Sequence, residues 1–96
     1  KRMDTVDFAK VLADETRQQI MRICCCARLT VNEIVAQTGV SQPTVSHHLK
    51  VLRDAGLVTA LRQGKEIFYS LNQETMADNC CRVSSVFAPR IKVTKG

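Results

Sequence analysis

One stretch in the middle of the chain constrains the fold most, because it carries the start and stop signals of two consecutive helices. Thr30 begins a capping box, in which its hydroxyl and a glutamate three residues later bond to each other's backbone amides. Gly39 is a typical residue for the end of a helix, and Ser41 is suited to cap the next one. The spacing predicts helices over 30–38 and 41–54 joined by a tight turn, which is the helix-turn-helix layout.

The second of these helices is divided into an apolar and a polar face. Val45, Leu49 and Leu52 recur at i, i+4 and i+7 and form one apolar stripe. The opposite arc and its flanks carry Pro43, Thr44, Ser46, His47, Lys50, Arg53 and Asp54. A helix with a buried stripe and a face of hydroxyl, imidazole and cationic groups suits the major groove of DNA, so we interpret it as a recognition helix.

A hairpin is predicted immediately after the second helix. Beyond Gly56 the pattern changes to two strand-like runs, 57–61 and 66–71, separated by the basic sequence Arg62-Gln-Gly-Lys65. The alternative to a DNA-contacting wing is an ordinary solvated turn. Because the hairpin directly follows a helix-turn-helix, we favour the wing.

Three further helices are expected around this centre. The first helix is expected over residues 5–13. The second is capped by Asp14 and has apolar positions at Ile20, Ile23, Cys24 and Ala27. The last helix is expected at about 72–88, with an apolar stripe of Met76, Cys80, Val83 and Phe87. The chain is thus expected to form one mostly α-helical domain, residues 1–96, with a small β-hairpin wing and a basic tail, 89–96.

Composition limits the class of protein. The chain has 96 residues, a formal net charge of +5, 45% hydrophobic and 24% charged residues, which is typical of a globular protein and favours polyanionic partners. No membrane span or secretory signal is evident, and five cysteines, an odd number, indicate reduced thiols in the cytoplasm. Because the first residue is Lys, removal of a leader segment is left open as an alternative. An enzyme is not expected, since both histidines belong to the recognition helix.

Several motifs resemble the ArsR/SmtB repressors. They are Asp14-Glu-Thr-Arg17, Leu29-Thr-Val-Asn-Glu-Ile34, the run from Ser41 to Val58, and Gly64-Lys-Glu-Ile-Phe-Tyr-Ser-Leu71. The resemblance implies a winged helix-turn-helix homodimer, joined through its first and last helices, that leaves double-stranded operator DNA when an inducer binds. The DNA contacts expected on this basis are Ser41, Gln42, Thr44, Ser46, His47 and Lys50 on the recognition helix and Arg62, Gln63 and Lys65 on the wing. His48 lies nearer the apolar stripe, which favours a structural or phosphate-contacting role.

The inducer site must be matched position by position. The family's Cys-x-Cys site would fall at Thr30 and Asn32, which are not thiols, and no histidine follows Asn72 for a zinc-type site. Asn79-Cys80-Cys81 is similar to the Asn-Cys-Cys sequence of some arsenite-responsive members, without their third downstream cysteine. Because trivalent arsenic is soft and favours thiolates, the expected inducer is arsenite, methylarsenite or trivalent antimony, with no resident cofactor.

The second cysteine cluster leaves three alternatives open. Cys24 shares an apolar stripe and is expected in the core, whereas Cys25 and Cys26 lie off it, at the helix end, and are candidates for a third ligand. In a second hypothesis, the chain senses redox or sulfur species through a disulfide or persulfide between Cys24–Cys26 and Cys80–Cys81. In a third hypothesis, the chain binds another protein, and its cysteines only fill the hydrophobic core.

Overall fold

The computed structural model describes residues 3–90, which form five helices and a two-stranded hairpin. The helices are α1 (Thr5–Leu12), α2 (Glu15–Cys24), α3 (Val31–Thr38), α4 (Gln42–Asp54) and α5 (Gln73–Phe87), and the strands are β1 (Val58–Gln63) and β2 (Glu66–Leu71). The mostly helical, winged architecture expected from the sequence is confirmed. None of the helices in residues 3–90 is long and apolar enough to cross a membrane. Most of the expected basic tail, 91–96, lies outside the described residues.

Local capping signals fix the helix-turn-helix. The Thr30 amide donates to the Glu33 carboxylate at 2.8 Å, and the Glu33 amide donates to the Thr30 hydroxyl at 3.2 Å, so the capping box is confirmed. Gly39 ends α3 in the left-handed region, with φ of 71°, where a side chain would be strained. The turn into α4 therefore forms where the sequence places it.

Ser41 precedes α4, but the prediction that its side chain caps this helix is wrong. The hydroxyl makes no cap bond and instead donates to the Thr44 hydroxyl at 2.9 Å. An N-cap side chain bonds to the amide of the second or third helical residue, and here the second is Pro43, which has none. The Ser41 hydroxyl consequently stays on the exposed surface.

Helix α2 ends at Cys24, three residues before the end of the apolar pattern read from the sequence, so the placement of Ala27 on its stripe is wrong. Ala27 is exposed, and the chain leaves the helix to bring Leu29 against the wing. Leu29 and Tyr69 exchange backbone hydrogen bonds of 2.9 and 2.8 Å. Since Leu29 is also buried, this pairing outweighs continued helix.

The core lies where α2, α3 and α4 meet the base of the hairpin. Ile20, Ile34, Val45, Leu52 and Leu57 are all fully buried there. The apolar stripe of α4 supplies three of its buried members, as the periodicity predicts. This packing holds α4 with its opposite face directed outwards.

The hairpin is longer and its turn tighter than expected. Antiparallel pairing runs from Val58 opposite Leu71 to Gln63 opposite Glu66, so β1 continues two residues beyond the predicted end. The turn is the two-residue sequence Gly64-Lys65, and Gly64 adopts φ of 63°. Only a residue tolerant of positive φ fits such a turn, which explains the glycine.

Helix α5 packs against α1, and its Met76 and Val83 lie partly buried against the outside of the core. Within residues 3–90 its one buried side chain is Asn79, whose amide donates to the Thr75 carbonyl at 2.9 Å and accepts from Arg82 at 3.3 Å. Arg82 also donates to the Met3 carbonyl, which ties α5 to the start of α1. Phe87 on the expected stripe is 75% exposed.

Candidate DNA-binding surface and thiol sites

The outward face of α4 carries the predicted DNA-contacting side chains. All six of them, Ser41, Gln42, Thr44, Ser46, His47 and Lys50, are exposed. They are exposed because Val45, Leu49 and Leu52 direct the other face into the core. An exposed row of hydroxyl, amide and imidazole groups on a rigidly packed helix can hydrogen-bond to base edges and phosphates.

Lys50 is the one cation of this set on α4, and it is held on the surface. Its ammonium lies 3.0 Å from the Asp54 carboxylate, one turn further along the helix. Both side chains are more than half exposed, so the pair stabilises the helix by at most about 1 kcal/mol. Lys50 can therefore exchange Asp54 for a phosphate at little cost.

The wing and the start of α4 meet in one groove. Gln42 of α4 and Lys65 of the wing line a depression of about 260 Å³ together with Thr30 and Asn32 of the α3 start; the rest of its lining is Val31, Glu66, Ile67 and Tyr69. Arg62, Gln63 and Lys65 are all exposed on the hairpin. The two regions that the sequence assigned separately to DNA are therefore neighbours in the fold.

His48 differs from its neighbour His47 in being buried, at 8% exposure. Arg17 of α2 donates from Nη1 to His48 Nδ1 at 3.5 Å, and Asp14 lies 3.9 Å from His48 Nε2. Burial lowers the pKa of His48, and the neighbouring Asp14 charge only partly opposes this shift. His48 is thus neutral at pH 7 and has a structural position, joining α4 to the start of α2.

Arg17 is a positioning residue that the sequence did not single out. Besides His48, it donates from Nε to the Val11 carbonyl at 3.0 Å and from Nη2 to the Lys10 carbonyl at 3.1 Å. It therefore satisfies two carbonyls at the end of α1 while contacting the recognition helix. The Asp-x-Thr-Arg motif was visible in the sequence, but the contact of Arg17 with His48 joins residues 31 positions apart and could not be read from it.

Cys80 and Cys81 lie in the middle of α5, as predicted. Cys80 is exposed and lines an apolar groove of about 670 Å³ between α1 and α5, together with Phe8, Val83 and Phe87. Cys81 is half-buried. Neighbouring residues on a helix point about 100° apart, so these two thiols diverge.

Cys25 and Cys26 lie beyond the end of α2, and their sulfur atoms are 2.9 Å apart. Cys25 is half-buried and Cys26 is exposed, whereas Cys24 is in the core as predicted. Burial raises the pKa of Cys24 to about 11, which makes it an unreactive thiol. Within residues 3–90, no three His, Cys, Asp or Glu side chains are grouped to hold a metal ion.

Gln73 is a second residue that the sequence analysis missed. Its side-chain amide, at the first position of α5, donates to the Cys25 carbonyl at 2.6 Å. The end of α2 is thereby linked to the start of α5 across 48 residues of sequence. No local pattern could have identified this contact.

Comparisons with known proteins agree with this geometry. The sequence of residues 14–60 matches the family described as bacterial regulatory proteins of the arsR family. The chain is 40% identical over 74 residues to a probable mercury resistance operon repressor of Streptomyces lividans, covering 77% of this chain and 59% of that protein. It is 36% identical over 69 residues to an arsenical resistance operon repressor of Staphylococcus aureus, covering 72% and 66%.

A solved structure shows the same fold. An ArsR-like transcriptional regulator from Rhodococcus sp. RHA1 superposes with a TM-score of 0.81 at 24% identity, covering 88% of this chain and 77% of that one. The chain spans less than two thirds of the length of the Streptomyces and Staphylococcus repressors.

The helix-turn-helix of α3 and α4, followed by the β1–β2 hairpin, defines a fold of the winged helix-turn-helix class. The chain belongs to the arsR family of bacterial regulatory proteins. This is a family of transcriptional repressors rather than of enzymes.

Proposed function

We propose that this chain is a homodimeric, cytoplasmic repressor that binds double-stranded operator DNA and releases it when trivalent arsenic or antimony binds Cys80 and Cys81. The observation that carries the DNA-binding part is the single groove shared by Gln42 of α4 and Lys65 of the wing. A recognition helix and a wing that border one groove can engage the bases and the backbone of the same site. The names of the relatives, which include arsenical and mercury resistance repressors, support a thiol-binding inducer.

The dimer part is supported by the apolar surface of α1 and α5. Val6, Val86 and Phe87 are 62%, 60% and 75% exposed, and the groove between the two helices is almost wholly apolar. Exposed apolar surface of this kind marks an interaction site. A second copy of the chain packed on α1 and α5 would bury this apolar surface, and the apolar stripes of the two copies would then meet across the interface.

The inducer part is supported by the position of Cys80 in that groove. A soft ion bound to both Cys80 and Cys81 needs the local turn of α5 to open, because the two thiols diverge by about 100°. Opening the turn would disturb Val83 and Phe87 at the proposed interface. The inducer would thus bind the DNA-bound and free arrangements with different affinity, as release requires.

The experiment is a mobility-shift titration of a promoter fragment with arsenite, methylarsenite, antimonite, cadmium and zinc in parallel. We expect binding without additive and release by the trivalent arsenicals and antimonite at lower concentrations than by zinc. Failure to bind any promoter fragment would contradict the repressor proposal, and preferential release by zinc would contradict the thiol site.

A second candidate function, sensing of redox or sulfur species, is favoured by one observation. Cys25 lines the same groove as Met76 of α5, and Cys80 follows Met76 by one helical turn, about 5.4 Å. A disulfide or persulfide between the two cysteine clusters would join α2 to α5. Release of the promoter fragment by peroxide or polysulfide, reversed by dithiothreitol, would support this alternative over the arsenical one.

A further inference from the structure

We propose that Cys25 and Cys26 form a separate, self-contained site for a trivalent arsenical that carries one apolar organic group. The site consists of the two adjacent thiols and the apolar groove beside them. It needs no ligand from α5 and no second chain. Its effect on the operator rests on the proposed function, but binding at the site does not.

These two thiols lie side by side where α2 stops. Helix α2 ends at Cys24, Cys25 is its C-cap with φ of −69° and ψ of −30°, and the chain bends at Cys26. The two sulfur atoms are 2.9 Å apart. Bonds of about 2.3 Å, the length of zinc–thiolate bonds, let one soft atom bridge sulfurs roughly 3–4 Å apart, so the pair needs only a small opening.

The chemistry requires no oxidant. An organoarsenical in the form R–As(OH)₂ has two exchangeable hydroxyl groups. Two As–O bonds break and two As–S bonds form, and each hydroxyl leaves with a thiol proton as water, so arsenic stays trivalent.

The groove gives the site its preference for an organic group. Cys25 lines a depression of about 630 Å³ together with Leu12, Met21, Leu71 and Met76, and the rim carries Gln18 and Arg22. Inorganic arsenite would place a third hydroxyl against this apolar wall, whereas a phenyl group would displace water from it. A single methylene in an apolar pocket changes affinity by roughly tenfold or more, so a phenyl group should bind at least tenfold more tightly than methyl.

The same groove connects the site to the rest of the fold. Its lining comes from α1, α2, β2 and α5, and Gln73 of α5 donates to the carbonyl of Cys25. Arsenic bound to Cys25 and Cys26 would change the position of the Cys25 carbonyl and of the start of α5. This provides a path from the thiol pair to the proposed dimer helix.

The test measures binding directly, with phenylarsine oxide and methylarsenite as probes. The Cys80→Ser/Cys81→Ser variant should take up one equivalent of phenylarsine oxide, seen by intact mass and by loss of two titratable thiols. Adding Cys26→Ser should weaken this uptake roughly a hundredfold or more, because the second bond forms at high effective concentration. Cys26 is exposed, so that variant should keep the melting temperature of its parent. Unchanged uptake in the triple variant, or none in the double variant, would overturn the proposal.

A groove variant and an operator assay complete the test. Met76→Gln should reduce the preference for phenyl over methyl while leaving methylarsenite uptake unchanged; an unaltered preference would overturn the role of the groove. The mass measurement does not depend on DNA, so failure of operator binding would leave it interpretable. Uptake by Cys25 and Cys26 without any change in operator affinity would overturn the path to α5.

Discussion

Helices α4 and α5 are both amphipathic and of similar length, 13 and 15 residues, yet one chain buries them very differently. Helix α4 places Val45, Leu49 and Leu52 in the core, together with His48. In the described residues, α5 buries only Asn79. Similar periodicity therefore led to a core-anchored helix in one case and, in the other, to an apolar stripe that is only partly covered, with Met76 and Val83 half-buried and Phe87 exposed.

The difference concerns what each helix can do. A helix held by the core can present a fixed polar face to DNA, because its orientation is set by packing within the chain. A helix whose apolar stripe is only partly covered is held less firmly by its own chain, and it can respond when a ligand changes the surface against which it packs. We assign recognition to α4 and response to α5 on this basis.

The two thiol pairs also differ, in their position relative to the helices. Cys80 and Cys81 are neighbours inside α5, so their side chains diverge, whereas Cys25 and Cys26 lie past the end of α2 and converge to 2.9 Å. Binding at the first pair must distort a helix, and binding at the second needs little change.

The largest expected effect is on DNA affinity. Replacing Ser46 and His47 of α4 by Ala together should weaken operator binding by about 2–6 kcal/mol, at about 1–3 per lost base contact. The melting temperature should barely change, since both side chains are exposed. Ser85→Ala on α5 is a matched control and should keep full affinity in the same fluorescence-anisotropy titration. If the double variant binds as tightly as the parent protein, α4 is not the recognition helix.

The second effect separates the two helices by stability. Leu52→Ala should lower the free energy of unfolding by about 2–5 kcal/mol, because it leaves a cavity in the core. Phe87→Ala removes a side chain that is 75% exposed and should change the stability of the monomer by less than about 0.5 kcal/mol. Urea unfolding at low protein concentration measures both values, and light scattering should show Phe87→Ala weakening the dimer. A large loss of unfolding free energy in Phe87→Ala that does not depend on protein concentration would contradict this difference between α4 and α5.

A smaller effect is expected from pH. Because burial lowers the pKa of His48, the unfolded chain binds more protons than the native one below pH 6.5. The free energy of unfolding should therefore be fully retained above pH 6.5 and fall as the pH drops below it. The lowered pKa of Asp14, caused mainly by the Arg17 amide, acts in a separate window below its ordinary 3.8.

His48→Gln checks the assignment of this pH dependence. It should flatten the stability profile between pH 7 and pH 5, and His47→Gln, an exposed neighbour, should not. Equal profiles for the parent protein and His48→Gln in thermal melts would show that another group titrates.

The smallest expected effect is at the wing. Arg62→Ala or Lys65→Ala should weaken binding to all DNA sequences alike and reduce the salt slope by about one unit each. Arg90→Ala, a cation beyond α5, is the control and should leave the slope unchanged. An altered sequence preference at an unchanged slope would mean that the wing contacts bases instead of the backbone.

The sequence predicted those features that local signals determine. The capping box, the glycine turn, the stripe of α4 and the basic hairpin each depend on residues within a few positions of one another, and the structure confirms them. The end of α2 could not be predicted, because it depends on Leu29 pairing with Tyr69, 40 residues away. The Gln73 contact with the Cys25 carbonyl joins residues 48 positions apart, so no local signal predicts it either.

One measurement tests most directly whether α5 is the responding helix. Two proteins, Cys25→Ser/Cys26→Ser and the same protein with Cys80→Ser/Cys81→Ser added, are titrated with methylarsenite while bound to the same labelled promoter fragment, followed by anisotropy. Both lack the thiol pair at the end of α2, so they differ only at α5. We expect equal operator affinity for both proteins before addition, release of the protein that keeps Cys80 and Cys81, and retention of the other on DNA. Release of both proteins at the same methylarsenite concentration would contradict the inducer role of Cys80 and Cys81.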